Sequence, residues 1–322
     1  MANLALVSGA LHGDSGGLFP IAAKGNTQGL IDAGTAPEFL PGLIDYAAGK
    51  EKFAALWQTT LPADGADVTG ILDGIEKGTI RALFLAGTNP LINFPESNRW
   101  RKALEKLDLL VVQDILANEL TEMATVVLPG AATAEKRGSV TSLDQRVNNL
   151  RIAVAPPGEA RPDLAILSDL FARLTGKPEP SESAIQQEMA AFCDKKQGYA
   201  PAVKSLLAAT PELTTPEAAD LQLLVGKCPF QFGTTTTYSA ANHELAPAGL
   251  IIINPEDAAK LGVADGGHLK LTGPVGSANG KVMIHAMVPV GLLTAADNFA
   301  AMNIQQIVPS GSNCVTVTAT KA

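Results

Sequence analysis

Three short polar stretches carry the side chains with which chemistry could be built: Gly87-Thr88-Asn89, the carboxylate of Asp114, and Asn26–Asp32. Gly87 permits close backbone approach, and Thr88 and Asn89 both donate and accept hydrogen bonds. Asp114 is placed to accept from a ribose hydroxyl or a nucleobase N–H. Asn26, Gln28 and Asp32 sit in a glycine-rich run, Ala22–Gly42. That run suits a polar ligand, and an ordinary surface loop has the same composition. No catalytic set accompanies them. The four histidines, His12, His243, His268 and His285, share no spacing with carboxylates or cysteines that would hold zinc or iron. No phosphate-binding or dinucleotide-binding glycine motif occurs. His12–Gly17 reads HGDSGG, like a serine-protease loop, without matching histidine and aspartate elements around it. The expectation is therefore no catalytic residue and no metal ligand in this chain.

The elements that position these groups are legible around Arg81–Pro129. Ala82–Ala86 is apolar, too short for a free helix and bounded by Gly87, so it reads as a buried strand. Ser97 or Asn98 caps a helix through Lys106, with Trp100, Leu104 and Leu107 at helical spacing. Leu109–Gln113 is a second strand, Asn118–Met123 a polar helix, and Thr125–Leu128 a third strand stopped by Pro129. This is a parallel, doubly wound unit, in which ligands bind beyond the carboxyl ends of strands. Helices are expected at Glu51–Gln58, Val68–Lys77 and Pro162–Thr175. An extended polar segment follows Pro129, with Arg146, Arg151 and Arg161 as anion ligands or as paired arginines. Composition shifts at Gly176. From Leu221, short β-rich runs at Leu221–Val225, Leu250–Ile253, His268–Thr272, Lys281–His285 and Cys314–Ala319 alternate with turn signals. Those signals are Asp265-Gly266-Gly267 and Ser277–Gly280. With one helix at Pro255–Leu261, capped by Asn254, they predict a small closed β-barrel. The expected domains are 1–176 (α/β), 177–217 (helical linker) and 218–322 (barrel).

Bulk properties narrow the function. With 322 residues of which 46% are hydrophobic, two domains can each bury a core. A net charge of −8 without a basic tract argues against nucleic acid and anionic membrane surfaces. Cys193, Cys228 and Cys314 are far apart with no Cys-x-x-Cys, so neither a zinc knuckle nor an iron–sulfur cluster can be built from this chain alone. No apolar run reaches the ~18–20 residues of a spanning helix.

Several ordered motifs resemble the molybdopterin oxidoreductase superfamily, and within it the large iron–sulfur (G-type) subunit of bacterial NADH–quinone oxidoreductase, respiratory complex I. They are NTQGLIDAG (Asn26–Gly34), the strand–loop–helix–strand core from Ala82, AEKRGSVTSLDQRVNN from Ala134, and IINPEDAAKLGVADGGHLKL (Ile252–Leu271). The resemblance implies that the C-terminal barrel is a double-psi barrel. It also implies that a molybdopterin guanine dinucleotide with molybdenum or tungsten is held between α/β domains and that barrel. Carried over by position, the cofactor-binding candidates are Asn26, Gln28, Gly87, Thr88, Asn89, Asp114, Gly138 and Thr141. The segment with cluster cysteines and the metal-ligating residue is expected upstream of this sequence, in the same subunit or in a partner.

Departures from the family pattern point away from catalysis. Where formate dehydrogenases of this kind have a substrate arginine, the sequence has Ala22; a methyl group cannot orient an anion as a guanidinium does. The barrel opens with Val225-Gly226-Lys227 instead of Thr-Gly-Arg, Gly233 replaces a histidine before Thr234, and Ser142 and Asp144 stand for an asparagine and a glutamate. The resemblance thus implies no cofactor in this chain. It implies a scaffold part of a complex I-like enzyme, peripheral on the cytoplasmic face of the membrane beside other subunits and an iron–sulfur segment. The alternative is the pterin-binding C-terminal half of a formate dehydrogenase-like enzyme.

Overall fold

The computed structural model describes residues 2–10, 21–22, 24–63, 65–192 and 221–322. His12, the HGDSGG loop, Phe19-Pro20, Ala23, Cys193 and most of the expected linker lie outside the described residues. The chain divides into two compact units that interleave along the sequence. One comprises Met1–Gly70 and Pro129–Glu212, the other Ile71–Leu128 and Leu213–Ala322.

The first unit begins with helices α1 (Ala2–Val7) and α2 (Thr27–Asp32). A short antiparallel pair follows, β1 (Phe39–Leu40) and β2 (Ile44–Asp45). Helix α3 (Tyr46–Trp57) starts earlier than its periodicity predicts, because Asp45 caps it by accepting from Ala48 N at 2.9 Å. Its Phe53 is fully buried. Helix α4 (Val68–Glu76) leads into the second unit and buries Leu72 and Ile75.

There β3 (Ala82–Ala86) is followed by α5 (Pro90–Asn93) and α6 (Ser97–Leu104), then β4 (Leu109–Asp114), α7 (Glu119–Met123) and β5 (Val126–Pro129). The sheet order is β3-β4-β5, with β3 and β4 parallel and Leu83 opposite Leu110. Leu85, Leu110 and Val112 pack with Leu72, Ile75, Leu91, Trp100, Leu104 and Leu120 in one apolar cluster. All four helices of this segment therefore dock on one face of the sheet.

Back in the first unit, the polar segment after Pro129 is not merely extended. It forms an antiparallel hairpin, β6 (Gly138–Thr141) and β7 (Val147–Leu150). Arg146 pairs with Asp144 and Arg161 with Asp169, so two of the three candidate anion-binding arginines are engaged internally. Helices α8 (Asp163–Thr175) and α9 (Glu182–Phe192) complete the described part.

The remainder is a closed six-stranded barrel. Its strands are β8 (Leu221–Gly226), β9 (Leu250–Ile253), β10 (His268–Gly273), β11 (Gly276–Ile284), β12 (Leu292–Ala296) and β13 (Cys314–Lys321). They close in the order β10-β11-β9-β12-β8-β13. Two of the pairings, β9 with β11 and β8 with β12, are parallel and the others antiparallel. Alternate residues Leu223, Ile251, Ile253, Leu269, Leu271, Leu293, Val315 and Val317 point inward and are almost wholly buried. Two expectations need correction. Strand β12 is a sixth strand that the sequence reading lacked. Ser277–Gly280 is not a turn: it lies inside β11, where a Cβ on Gly280 would stand 2.8 Å from Ile251 Cδ1. The glycine admits a core side chain and does not reverse the chain. The helix Pro255–Leu261 and its Asn254 cap are found as expected, with Glu256 N donating to Asn254 Oδ1 at 2.8 Å.

Candidate functional site

The structure gathers the candidate residues into two groups, one in each unit. In the first unit Asn26 precedes α2, and its Oδ1 accepts from the Thr141 N–H at 2.9 Å. A Cβ on Gly29 would lie 2.3 Å from that same oxygen, so this residue must be glycine for the loop and β6 to meet. Gln28 donates to Asp32 Oδ1 at 2.7 Å. Gly138 opens β6 with φ +151°, a conformation that favours glycine. Asn26, Gln28, Gly138 and Thr141, distant in sequence, thus share one neighbourhood. Beyond it, hydrogen bonds from Ser142 and then Arg146 lower the Asp144 carboxyl to about 2. The residues that depart from the family pattern are satisfied by each other.

In the second unit Gly87, Thr88 and Asn89 leave the end of β3. Gly87 has φ +63° and donates its N–H to Gln113 O at 2.8 Å. Asn89 is buried and caps α5, accepting from Leu91 N at 2.9 Å. Its amide also reaches Asn118 Oδ1 at 3.4 Å, and Asn118 Nδ2 donates to Asp114 Oδ2 at 2.9 Å. Asp114 Oδ1 accepts from Ile115 N and Leu116 N at 2.7 and 3.3 Å. The carboxylate therefore shapes the turn after β4. A carboxylate has about four acceptor positions, so lone pairs remain for a ligand. Tyr238 Oη donates to Ala117 O at 3.3 Å, which brings the barrel's turn Thr234–Tyr238 beside this loop.

The barrel contributes a polar nest that the sequence reading did not find. Lys227, just past β8, forms an ion pair with Asp297, just past β12; the Asp297 side chain is only 6% exposed. Gln305 Nε2 approaches Asp297 Oδ2 at 3.5 Å, and Asn298 Nδ2 donates to Gln231 O at 2.5 Å. Gln231 Oε1, Asp297 Oδ1 and Gln305 Oε1 are buried without a hydrogen-bond partner. These residues lie in loops without periodicity, and only closure of the barrel brings them together. The one signal available was Lys227 standing where the family pattern has arginine.

Among the described residues no group of three histidine, cysteine or carboxylate side chains is arranged to hold a metal. No helix there is long and apolar enough to cross a membrane. Cys228 and Cys314 are free thiols.

The family model "Molybdopterin oxidoreductase" matches residues 20–173, and the model "Molydopterin dinucleotide binding domain" matches 221–322, the barrel. The chain belongs to the molybdopterin oxidoreductase family. The NADPH-Fe(3+) oxidoreductase subunit alpha of Geobacter sulfurreducens is 41% identical over 100% of this chain and 39% of its own length. The G-type NADH-quinone oxidoreductase chain "G 2" of Rhizobium meliloti is 29% identical over 89% of this chain and 36% of its own. The F420-dependent formate dehydrogenase subunit alpha of Methanocaldococcus jannaschii is 38% identical over 54% of this chain and 26% of its own. Acetylene hydratase from Pelobacter acetylenicus shares the fold, with TM-score 0.61 and 17% identity over 86% of this chain and 50% of its own. The chain spans about two-fifths of the length of the first of these relatives.

The family's cofactor is a heterocycle carrying a pyrophosphate, and the two ends meet different surroundings here. The three unpartnered acceptors of the barrel nest suit the N–H groups of an aminopyrimidinone ring. The charge does not suit the phosphates. Lys227 is already neutralised by Asp297, and Asp114 adds a further carboxylate in the same unit.

Proposed function

We propose that this chain is the C-terminal part of the large subunit of a multi-subunit oxidoreductase fed by a nicotinamide nucleotide, in which it is a scaffold without a pterin of its own. Electrons pass through clusters in other segments, and the assembly sits peripherally on the cytoplasmic side of the membrane. The Lys227–Asp297 pair carries this reading: the cation that would meet a phosphate is held by a buried carboxylate. Ala22, in place of a substrate arginine, agrees with it. So do the names of two relatives, one acting with NADPH and iron(III), the other with NADH and quinone.

The second reading, the pterin-binding half of a formate dehydrogenase-like enzyme, is favoured by one observation, the unpartnered acceptors at Gln231, Asp297 and Gln305. On that reading these three would hold the ring with Gly87, Thr88, Asn89 and Asp114 of the same unit, while Asn26, Gln28, Gly138 and Thr141 are the candidates of the other unit. The bound group would supply the redox chemistry. The deciding measurement is molybdenum, tungsten and oxidised-pterin content of the intact complex from its native source. Absence of all three supports the scaffold. Near-stoichiometric metal and pterin assigned to this subunit overturn it.

A further inference from the structure

The arginines of the chain fall into two groups. Arg81, Arg99, Arg101, Arg146, Arg161 and Arg173 each pair with a carboxylate. Arg137 and Arg151 have no ion-pair or hydrogen-bond partner among the described residues, and both are exposed. These two are also neighbours. Arg137 precedes β6 and Arg151 follows β7, and the hairpin register sets Gly138 opposite Leu150. The two stretches of chain stay side by side past the hairpin, because Ala153 N donates to Ala134 O at 2.8 Å. Arg137 and Arg151 therefore occupy facing positions. Two residues inward, Ser139 lies opposite Asn149, and both are exposed with hydrogen-bonding side chains. The carboxylates near this end of the hairpin are engaged elsewhere. Glu135 accepts from Ala132 N at 2.8 Å, Asp144 pairs with Arg146, and Asp163 with Lys136.

Like charges at opposed strand positions destabilise a hairpin, and an anion that bridges them removes the cost. We infer that the Arg137–Arg151 end of this hairpin docks an acidic polypeptide segment, whose carboxylates take the two guanidiniums. A guanidinium offers a planar fork of donors that matches a carboxylate bidentately. The surroundings select a polypeptide over a small anion. Val147, Ile152 and Val154, in the same hairpin and its continuation, are 50%, 49% and 55% exposed. A hydrated ion has no use for that apolar area, whereas protein interfaces bury apolar side chains together with arginine. A second copy of this chain is disfavoured, because each copy carries a net charge of −8. The inference concerns the first unit alone and holds under either reading of the cofactor.

The test is zero-length crosslinking in the complex assembled in its native source. Arg137→Lys and Arg151→Lys, made separately, keep the charge and place an amine at each position. A carbodiimide joins such an amine to a carboxylate in contact with it, and mass spectrometry identifies the linked peptide. The expected result is linkage from both lysines to one Asp- or Glu-rich segment of another polypeptide. Linkage only to carboxylates of this chain or of a second copy, or no linkage, overturns the inference. In parallel, Arg137→Glu with Arg151→Glu should lower co-purification of that polypeptide more than about tenfold with unchanged far-UV circular dichroism. Undiminished co-purification overturns the inference. Arg137→Gln with Arg151→Gln should leave the melting temperature unchanged or raised, since a like-charge pair is removed. A fall would show that the two arginines serve the fold and would overturn the docking role. Adsorption to phosphatidylglycerol vesicles that depends on both arginines, in place of the crosslink, would assign the surface to lipid and overturn it as well.

Discussion

Arg99 is the most heavily paired cation among the described residues, and its removal has a consequence that can be worked out. Its guanidinium bonds Glu76 Oε1 at 2.9 Å and Oε2 at 2.6 Å, Glu96 Oε2 at 3.1 Å, and Asp73. Glu96 in turn accepts from the Ser310 N–H at 2.9 Å, so Arg99 ties α4 and α6 to the barrel loop. Arg99→Leu leaves three carboxylates facing one another. Asp73 and Glu76 are about a third or more exposed and contribute roughly 0.5 kcal/mol each. Glu96 is only 13% exposed, and losing its cation adds about 1–2 kcal/mol. The total is about 2–3 kcal/mol. The hydrogen bond from Arg99 holds the Glu76 carboxyl below its ordinary value. For Glu96, burial pushes upward, but the Ser310 and Arg99 hydrogen bonds outweigh it and the carboxyl ends lowered. A lowered folded-state value gives stability that is present above the unfolded carboxyl value and is lost as pH falls through the folded one. The wild-type advantage should therefore be full at pH 7 and shrink below about pH 4.3. Urea unfolding reads this cleanly. The chain has two tryptophans, Trp57 in the first unit and Trp100 in the second, so a Trp57→Phe background reports the second unit alone. A difference under about 0.5 kcal/mol at pH 7, or one that does not narrow in acid, would refute the argument.

Gly280→Val should destabilise the barrel by about 1–3 kcal/mol, because its Cβ stands 2.8 Å from Ile251 Cδ1; thermal unfolding of Gly280→Val beside the wild type checks it. Asn118→Ala removes a capping box and the bridge between Asn89 and Asp114, for a loss of about 1–2 kcal/mol, measurable as faster amide exchange in α7. If a dinucleotide binds, Asp114→Ala should weaken it at least about fivefold by calorimetry, and it should also lower the melting temperature, because the bonds from Ile115 N, Leu116 N and Asn118 Nδ2 are lost. Unchanged affinity would remove Asp114 from the site. Lys227→Met strands the Asp297 carboxylate and should lower stability by about 2 kcal/mol, whereas Lys227→Met with Asp297→Leu should recover most of it.

Local signals were readable wherever neighbours in sequence decide the structure. Asn254, Pro255 and Gly262 bracket their helix without outside help. The apolar runs at Ala82 and Leu109 needed only their length and their flanks, Gly87 after the first and Asp114 after the second. Elements decided by distant partners were not readable. Strand β12, Leu-Leu-Thr-Ala-Ala, has little β-branching and is a strand because it lies parallel to β8, with Leu293 opposite Leu223. Gly280 looked like turn chemistry because its meaning depends on Ile251. The candidate site divides the same way. Asn26 and Thr141 were singled out by resemblance, but their direct bond is a tertiary fact. The nest of Lys227, Gln231, Asp297 and Gln305 leaves no pattern in the sequence.

In the second unit, the forces that hold the fold are separate from the candidate ligand residues. The barrel core is almost wholly aliphatic and closed, so its stability comes from burial and not from a bound group. The sheet segment is joined to it by hydrogen bonds that involve no candidate ligand residue. Ser97 donates to Asn303, Asn98 to Gln306, and Asn303 to Leu91 O. Asn89 and Asp114, which the family pattern assigns to a ligand, spend hydrogen-bonding capacity on the turns that carry them. Lys227, which stands where the family pattern has arginine, is held by Asp297 at no cost to this architecture. Under the proposed scaffold reading, a chain with this distribution of forces would keep its shape without a pterin.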